Sequence, residues 1–233
     1  DGITSGSIVT KSLIRSGAKC TVRTVNEFSK GVIEKMKNDS RQFHIITDLG
    51  GGFAKDIDAA LDEDWIVVDH HQIPQEEFDN QKVINAWKYD VDGGKDVSAG
   101  GMAYLVSKAL HKENTDLAWI AVVAALGDRQ DQGEKKSFTG INLEIASTAK
   151  KKNQVEIDLD ILLVGRETRP LPDALAFTSQ PFIEGLTWNR DACLSLLNSS
   201  GIKLKEGSRW RVPAELTEDE KRTGKKDVFW AVI

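Results

Sequence analysis

Apolar residues in the first ninety positions form short runs separated by segments with helical spacing. Four runs are rich in β-branched residues or tryptophan, which is typical of buried strands: residues 20–25, 43–47, 65–68 and 83–87. Between them, apolar residues recur at helical spacing in residues 8–14, 28–36 and 57–61. Because alternating strands and helices favour parallel pairing, the pattern predicts an α/β fold with a parallel sheet flanked by helices.

The rest of the chain is predicted to be mostly helical. Four further segments have apolar residues at helical spacing: residues 97–111, 117–126, 141–152 and 190–197. From Gly201 onward the sequence becomes rich in Lys, Glu and Arg. A capping box at Thr217 and Glu220 predicts a helix start, which Thr223 and Gly224 should interrupt before a strand-like segment at 228–233. We therefore expect one domain over residues 1–200, and a linker or the start of an inserted, partner-binding segment over 201–233.

Composition narrows the class of protein. The 233 residues are 40% hydrophobic and 29% charged, with a formal net charge of -5, so a nucleic-acid substrate would need a local basic groove. No apolar run approaches the roughly 18 residues of a membrane helix, and the opening residues do not resemble a secretory signal. Cys20 and Cys193 lack the spacing of zinc ligands or a disulfide scaffold. These features predict a cytoplasmic protein with no membrane partner.

Acidic residues follow two neighbouring predicted strands. Asp48 ends one and Asp69 ends the next, so both should lie at the carboxyl edge of the sheet. Candidate metal ligands or catalytic groups in this pattern are Asp1, Asp48, Asp69, His70, His71 and Asp128. Carboxylates and imidazoles without thiolates suit Mn²⁺ or Mg²⁺, and a pair of such ions promotes attack of water on phosphorus. The pattern predicts phosphoester hydrolysis.

Four segments, in order, resemble the motifs of DHH superfamily phosphoesterases: Asp1-Gly-Ile-Thr-Ser-Gly6, Asp48-Leu-Gly50, Asp69-His-His71 and Ala125-Leu-Gly-Asp128. Residues 165–171 and 181–186 also resemble segments of the archaeal RecJ-like nucleases, a branch that includes the nuclease associated with the GINS replication complex. In that family a further Asp lies two residues before the position of Asp1, at the end of an N-terminal strand, and a DHHA1 domain follows. Both lie outside this sequence, so we expect a partial chain.

The resemblance implies a role for each matching residue. Asp48 would bridge two metal ions, and Asp1, His70 and Asp128 would complete the ligands of one of them. His71 would face the scissile phosphate, with Asp69 orienting the histidine pair. For Asp48 and Asp1 taken singly, capping of a turn or a helix is an equally good interpretation.

Substrate contacts are predicted less directly. Ser98 and Gly100 begin a helix whose backbone N–H groups would meet a phosphate, although glycines here also fit close helix packing. Arg166 and Arg169 would clamp phosphates. Trp188 would either pack in the core or stack on a base.

The resemblance implies a metal-dependent exonuclease acting on single-stranded DNA or RNA, linked to DNA replication or repair. Two alternatives remain: a GINS-binding replisome scaffold with weak or no catalysis, and a phosphodiesterase acting on small molecules or short oligonucleotides.

Overall fold

A computed structural model describes residues 1–39, 43–61, 64–157, 161–180 and 182–227. The chain divides into two compact units, Asp1–Ile157 and Asp158–Ile233. Among the described residues, no helix is both long and apolar enough to cross a bilayer.

The first unit is built on a parallel sheet of three strands in the order β1-β2-β3. The strands are β1 (His44–Thr47), β2 (Trp65–Asp69) and β3 (Val83–Asn85). Thr47 pairs with Val68 and Asp69 with Asn85, so the carboxyl ends of the strands lie side by side. Val67 and Val68 in the central strand are fully buried, as expected for a strand covered on both faces. The predicted parallel α/β fold is confirmed.

Within the described part of this unit, six α-helices accompany the sheet, and each overlaps a predicted helix. They are α1 (Gly2–Arg15), α2 (Lys30–Lys37), α3 (Ala54–Leu61), α4 (Ala99–Leu110), α5 (Ala118–Gly127) and α6 (Gly140–Lys151). Helices α1, α4, α5 and α6 share one apolar cluster that includes Ile8, Tyr104, Ala121 and Ile145. Helices α2 and α3 pack with β2 and β3 in a second cluster. The helical spacing therefore locates each of these six helices correctly.

The predicted strand at residues 20–25 is wrong. These residues are described and form no strand, and the side chains of Val22 and Val25 are 53% and 41% exposed. Within the described residues, β1 pairs only with β2, so this segment has no strand beside it. β-branched residues favour an extended backbone, but a β-strand also needs a neighbouring strand to pair with.

The second unit has its own core. It contains α7 (Leu171–Phe177), α8 (Arg190–Ser199), a short hairpin of β4 (Lys205–Glu206) and β5 (Arg209–Trp210), and α9 (Glu218–Asp227). Leu197 packs in one cluster with Leu204 and Leu216. The boundary expected at residue 200 therefore falls inside this core, and residues 201–216 are packed rather than a linker. The sequence did not indicate this packing, because the apolar residues are widely spaced in a charged segment.

Helix α9 begins where the capping box predicts. The Thr217 hydroxyl accepts from the Glu220 N–H at 3.2 Å, and the Glu220 carboxylate accepts from the Thr217 N–H at 2.9 Å. The helix then continues to Asp227, so the predicted interruption at Thr223 and Gly224 is wrong. A single glycine costs an exposed helix only about 1 kcal/mol, which a good cap offsets. The predicted strand at 228–233 lies outside the described residues.

Candidate metal centre

A cluster of carboxylates surrounds the His70 ring at the carboxyl edge of the sheet. His70 Nε2 lies 3.2 Å from Asp48 Oδ1 and 3.6 Å from Asp1 Oδ2. On the other side of the ring, His70 Nδ1 lies 3.8 Å from Asp128 Oδ2. Ligand atoms of Asp1, His70 and Asp128 lie within 4.8 Å of one another, as do those of Asp48, Asp69, His70 and His71. The structure therefore brings all six predicted residues together from four separate segments.

Asp1 is held by the first turn of α4. Its two carboxylate oxygens accept hydrogen bonds from the N–H groups of Ala99, at 2.8 Å, and Gly100, at 2.9 Å. An anion is stabilised at this position by the free N–H groups and the helix dipole. Asp1 precedes α1 but makes no side-chain cap there, so the interpretation of Asp1 as a cap of α1 is wrong. Its side chain is almost fully buried.

Asp48 occupies an unusual backbone conformation directly after β1. Its φ is +66°, in the left-handed region that Asp tolerates better than most residues. Its N–H still donates to the Val68 carbonyl at 3.1 Å, which extends the ladder by one bond. A Cβ on Gly2 would lie only 2.9 Å from Asp48 Oδ2. Gly2 therefore leaves room for the carboxylate beside α1.

Asp69 and His71 form a linked pair next to this cluster. Asp69 is buried and accepts from the Gly51 N–H at 3.0 Å and from the His70 N–H at 2.8 Å, and His71 Nδ1 lies 2.8 Å from its Oδ1. Burial alone would raise the pKa of Asp69, but the hydrogen bonds and charge of His71, together with the Gly51 N–H, lower it overall. The hydrogen bond to Asp69 raises the pKa of His71. His71 is 56% exposed, so it combines a fixed ring with access to solvent.

His70 is buried and oriented by the backbone. Its Nδ1 lies 2.6 Å from the Gly93 carbonyl, which accepts a hydrogen bond from that nitrogen and leaves Nε2 facing Asp48. Burial lowers the pKa of His70, but the hydrogen bonds with Asp48 and Gly93 raise it overall. A Cβ at Gly93 would collide with the His70 carbonyl at 1.8 Å, so only glycine allows this approach.

Gln130 and Asn142 support the cluster and were not predicted from sequence. Gln130 is fully buried, and its amide nitrogen donates to the Gly93 carbonyl and to Asp128 Oδ2, each at 2.8 Å. Its amide oxygen accepts from Asn142 at 2.6 Å. Gln130 lies in the polar stretch Arg-Gln-Asp-Gln, which reads as an exposed loop, so its only sequence signal is its place two residues after Asp128.

The four residues predicted to contact substrate all have partners within their own unit, and their contact with a substrate stays a prediction. The N–H groups of Ala99 and Gly100 donate to Asp1, and Ser98 is buried with its hydroxyl accepting from Gly101 at 3.1 Å. The start of α4 therefore holds the Asp1 carboxylate where a phosphate was expected. Arg166 and Arg169 belong to the second unit, where Arg166 pairs with Glu167 and Arg169 lies 4.7 Å above the Phe177 ring.

The donor set fits a divalent cation. Asp1, Asp48 and Asp128 place carboxylate oxygens around one imidazole, and among the described residues no Lys or Arg pairs with them. Clustered carboxylates repel one another unless a cation lies between them. Oxygen and imidazole ligands suit Mn²⁺ or Mg²⁺. The cluster is therefore able to hold a metal ion.

Comparison with known proteins agrees with the resemblance at the level of the superfamily. Residues 163–232 match the model of the DHH-CID domain. A curated relative, "Uncharacterized protein MJ0831" of Methanocaldococcus jannaschii, is 29% identical over 192 residues, which cover 80% of this chain and 43% of that protein. The chain thus spans less than half the length of this relative. The domain match points to the DHH superfamily, whose members are metal-dependent phosphoesterases.

Proposed function

We propose that the protein is a metal-dependent hydrolase of phosphodiester bonds that acts on single-stranded DNA or RNA as an exonuclease. One observation carries the proposal: the carboxylates of Asp1, Asp48 and Asp128 surround the buried imidazole of His70 at the carboxyl edge of a parallel sheet. Ligand sites of open α/β sheets lie at this edge. The match to the DHH-CID domain supports the same class of reaction.

In this proposal Asp1, Asp48, His70 and Asp128 would hold the Mn²⁺ or Mg²⁺ ions. When bound, the ions supply Lewis acidity that activates water and stabilises the charge on the phosphate oxygens. Gln130 holds the Asp128 carboxylate in place, and Gly93 fixes the ring of His70. These contacts let the ligands keep one arrangement during turnover.

His71 is proposed to contact the scissile phosphate. Asp69 fixes its Nδ1 and raises its pKa, so the ring carries a proton over a wider pH range than an ordinary histidine. A protonated imidazole donates a hydrogen bond to a phosphate oxygen and stabilises the negative charge that develops there. Its high exposure leaves it accessible to a polymeric substrate.

A polynucleotide substrate is supported by exposed aromatic side chains in the second unit. Phe182 and Trp188 are 66% and 65% exposed, and the Trp188 ring meets the Phe177 ring edge-on at 5.6 Å. Arg169 lies above Phe177, which adds a cation to this surface. Such surfaces stack on unpaired bases without sequence preference.

The test is digestion of an end-labelled single-stranded oligonucleotide with Mn²⁺ by the natural full-length protein. We expect a metal-dependent ladder that Asp48→Asn abolishes, because an amide cannot replace a carboxylate ligand although Asn tolerates the left-handed backbone. Asp56→Asn, an exposed position on α3, is the matched control and should digest normally. No cleavage by folded wild-type protein would contradict the proposal, and a dinucleotide cleaved as fast as a long strand would favour a small substrate.

A second candidate function is docking of replication proteins such as the GINS complex, which the same exposed aromatics favour. Trp188→Ala separates the two. Loss of GINS capture with normal digestion would assign the surface to a protein partner, whereas slower digestion with normal capture would assign it to nucleic acid.

A further inference from the structure

Helix α5 ends in a turn that places an arginine where the backbone favours glycine. The Arg129 N–H donates to the Leu126 carbonyl at 3.1 Å, and the Gln130 N–H donates to the Ala125 carbonyl at 3.0 Å. These two bonds define a Schellman motif, whose left-handed position is usually filled by glycine. Arg129 occupies that position with φ of +55°. A side chain with a Cβ is strained there.

Three other helices end in the same motif but have a different kind of residue at the left-handed position. Helices α1, α8 and α6 end with the same pair of backbone bonds, and their left-handed residues are Gly17 (φ +85°), Gly201 (φ +70°) and Asn153 (φ +54°). Glycine and asparagine are the residues that adopt this conformation at least cost. Only the motif beside the metal centre, among these four, uses a long cationic residue.

The turn itself does not need the arginine side chain. The turn brings Gln130 back to the interior, where the side chain of Gln130 donates to the Gly93 carbonyl and to Asp128. The hydrogen bonds that form the turn are all backbone bonds. Arg129 is exposed, and among the described residues its guanidinium has no ion pair or hydrogen bond. Strain held at a position next to a candidate site points to a function for the side chain.

Charge around the centre indicates what that function is. Four carboxylates, Asp1, Asp48, Asp69 and Asp128, lie together at the sheet edge, and none pairs with a Lys or Arg among the described residues. A polyanionic substrate would be repelled by any carboxylate charge that the ions leave unbalanced. Arg129 directly follows Asp128, so the residue next to this cluster carries an exposed, permanently charged group.

We propose that Arg129 binds a phosphate of the substrate strand, next to the metal centre. The inference rests on the proposed phosphodiesterase function and adds to it a phosphate-binding residue. The guanidinium donates two parallel hydrogen bonds to the non-bridging oxygens of one phosphodiester. It thereby compensates for the acidic surroundings and positions the strand relative to Asp48 and His70. The strained turn is kept because glycine would supply the backbone but not the donor.

The experiment compares Arg129→Asn, Arg129→Gly and Arg129→Lys in the full-length protein. Binding of a fluorescein-labelled single-stranded 12-mer is measured by anisotropy in EDTA, kcat/KM is measured with Mn²⁺, and Tm is measured by calorimetry. We expect Asn and Gly variants to lose about tenfold or more in both affinity and kcat/KM, with a salt dependence of binding shallower by about one charge. Arg129→Lys should recover part of the affinity, since it keeps the charge without the planar fork.

Stability distinguishes this role from a structural one. Asn and Gly relieve the backbone strain at position 129, so their Tm should be unchanged or raised by a few degrees while binding is lost. Lys136→Asn is the matched control, because Lys136 is also exposed with positive φ. A Tm lowered by several degrees, or an equal loss of affinity in the Lys136 variant, would overturn the assignment.

The two proposals fail in different ways. Wild-type cleavage with unchanged Arg129→Asn kinetics and binding would remove Arg129 from the site and leave the proposed function standing. A folded wild-type protein that neither binds nor cleaves the strand would defeat the proposed function, and the role of Arg129 with it.

Discussion

Oδ1 of Asp69 and Nδ1 of His71 lie 2.8 Å apart, although the carboxylate is buried and the imidazole is largely exposed. The buried partner is itself fixed by the N–H groups of Gly51 and His70. Asp69 therefore fixes the exposed ring of His71 relative to the sheet. The relationship predicts that Asp69 acts on catalysis through His71.

Replacing Asp69 tests whether it acts on catalysis through His71. We expect Asp69→Asn to lower kcat by about 10- to 100-fold in the oligonucleotide assay, because the amide neither fixes His71 as strongly nor favours its protonated form. His71→Gln should have an effect of similar size, and the double variant should be little worse than either single one. Effects that multiply in the double variant would show that the two residues act independently.

Gln130 is expected to determine how tightly the metal binds. Gln130→Ala removes the donor that holds Asp128 Oδ2, so affinity for Mn²⁺ in titration calorimetry should fall about 10- to 100-fold. Gln75→Ala, at an exposed position, serves as the control and should bind Mn²⁺ normally. Equal affinity in the Gln130 variant would mean that Asp128 is held by other contacts.

A methyl group at Gly100 should destabilise the first unit. Helix propensity alone predicts a gain of up to about 1 kcal/mol for Gly100→Ala. The new Cβ would lie 2.2 Å from the Cβ of Ala124, and separating α4 from α5 costs about 1–3 kcal/mol. We therefore expect a net loss of stability in urea melts. Gly100→Ala combined with Ala124→Gly should recover part of it, and no recovery would argue against this contact as the cause.

The second unit should lose stability in acid through one ion pair. Arg211 donates to both carboxylate oxygens of Glu220, at 2.6 and 2.8 Å, and this pairing lowers the pKa of Glu220 from 4.5 to about 2. A depressed carboxyl pKa stabilises the fold above the unfolded value, and the stabilisation is lost as pH falls from 4.5 toward 2. Partial exposure reduces the effect to roughly 1–3 kcal/mol.

Urea melts between pH 7 and pH 2.5 measure this loss. Glu220→Gln should be less stable at pH 7 and should lack this part of the acid dependence, whereas Glu218→Gln on the same helix should behave like wild type. Identical acid dependence in wild type and Glu220→Gln would assign the effect to other carboxyls.

The parts of the fold that were predictable depend on local pattern. The period of apolar residues located the helices, and the ends of two predicted strands located Asp48 and Asp69 at one edge of the sheet. The strand predicted at 20–25 failed because extended propensity in Val22 and Val25 does not reveal whether a partner strand is present. The limits of the second unit were missed because Leu204 and Leu216 are isolated among charged residues.

The sequence predicted the residues of the proposed metal site, but not the residues that hold them in place. Asp1 and Asp128 were singled out because they match motifs of the DHH phosphoesterases, and the structure places both beside His70. Their role as metal ligands stays a prediction. Gln130 and Asn142 are ordinary polar residues in sequence, and their burial depends on long-range packing. The occupation of the Ala99 and Gly100 N–H groups by Asp1 was equally hidden, because the donors and acceptor lie 98 and 99 residues apart.

That separation has a consequence for folding. The proposed ligands come from four distant segments, around residues 1, 48, 70 and 128, so an ion held by them would act as a cross-link closing three loops at once. The unfolded chain offers no such arrangement, and binding energy would be gained only after α1, α4, α5 and the sheet have assembled. The measured metal affinity would then depend on how completely the first unit has assembled. Without metal, the protein would lose the cross-link that makes its last folding step hard to reverse.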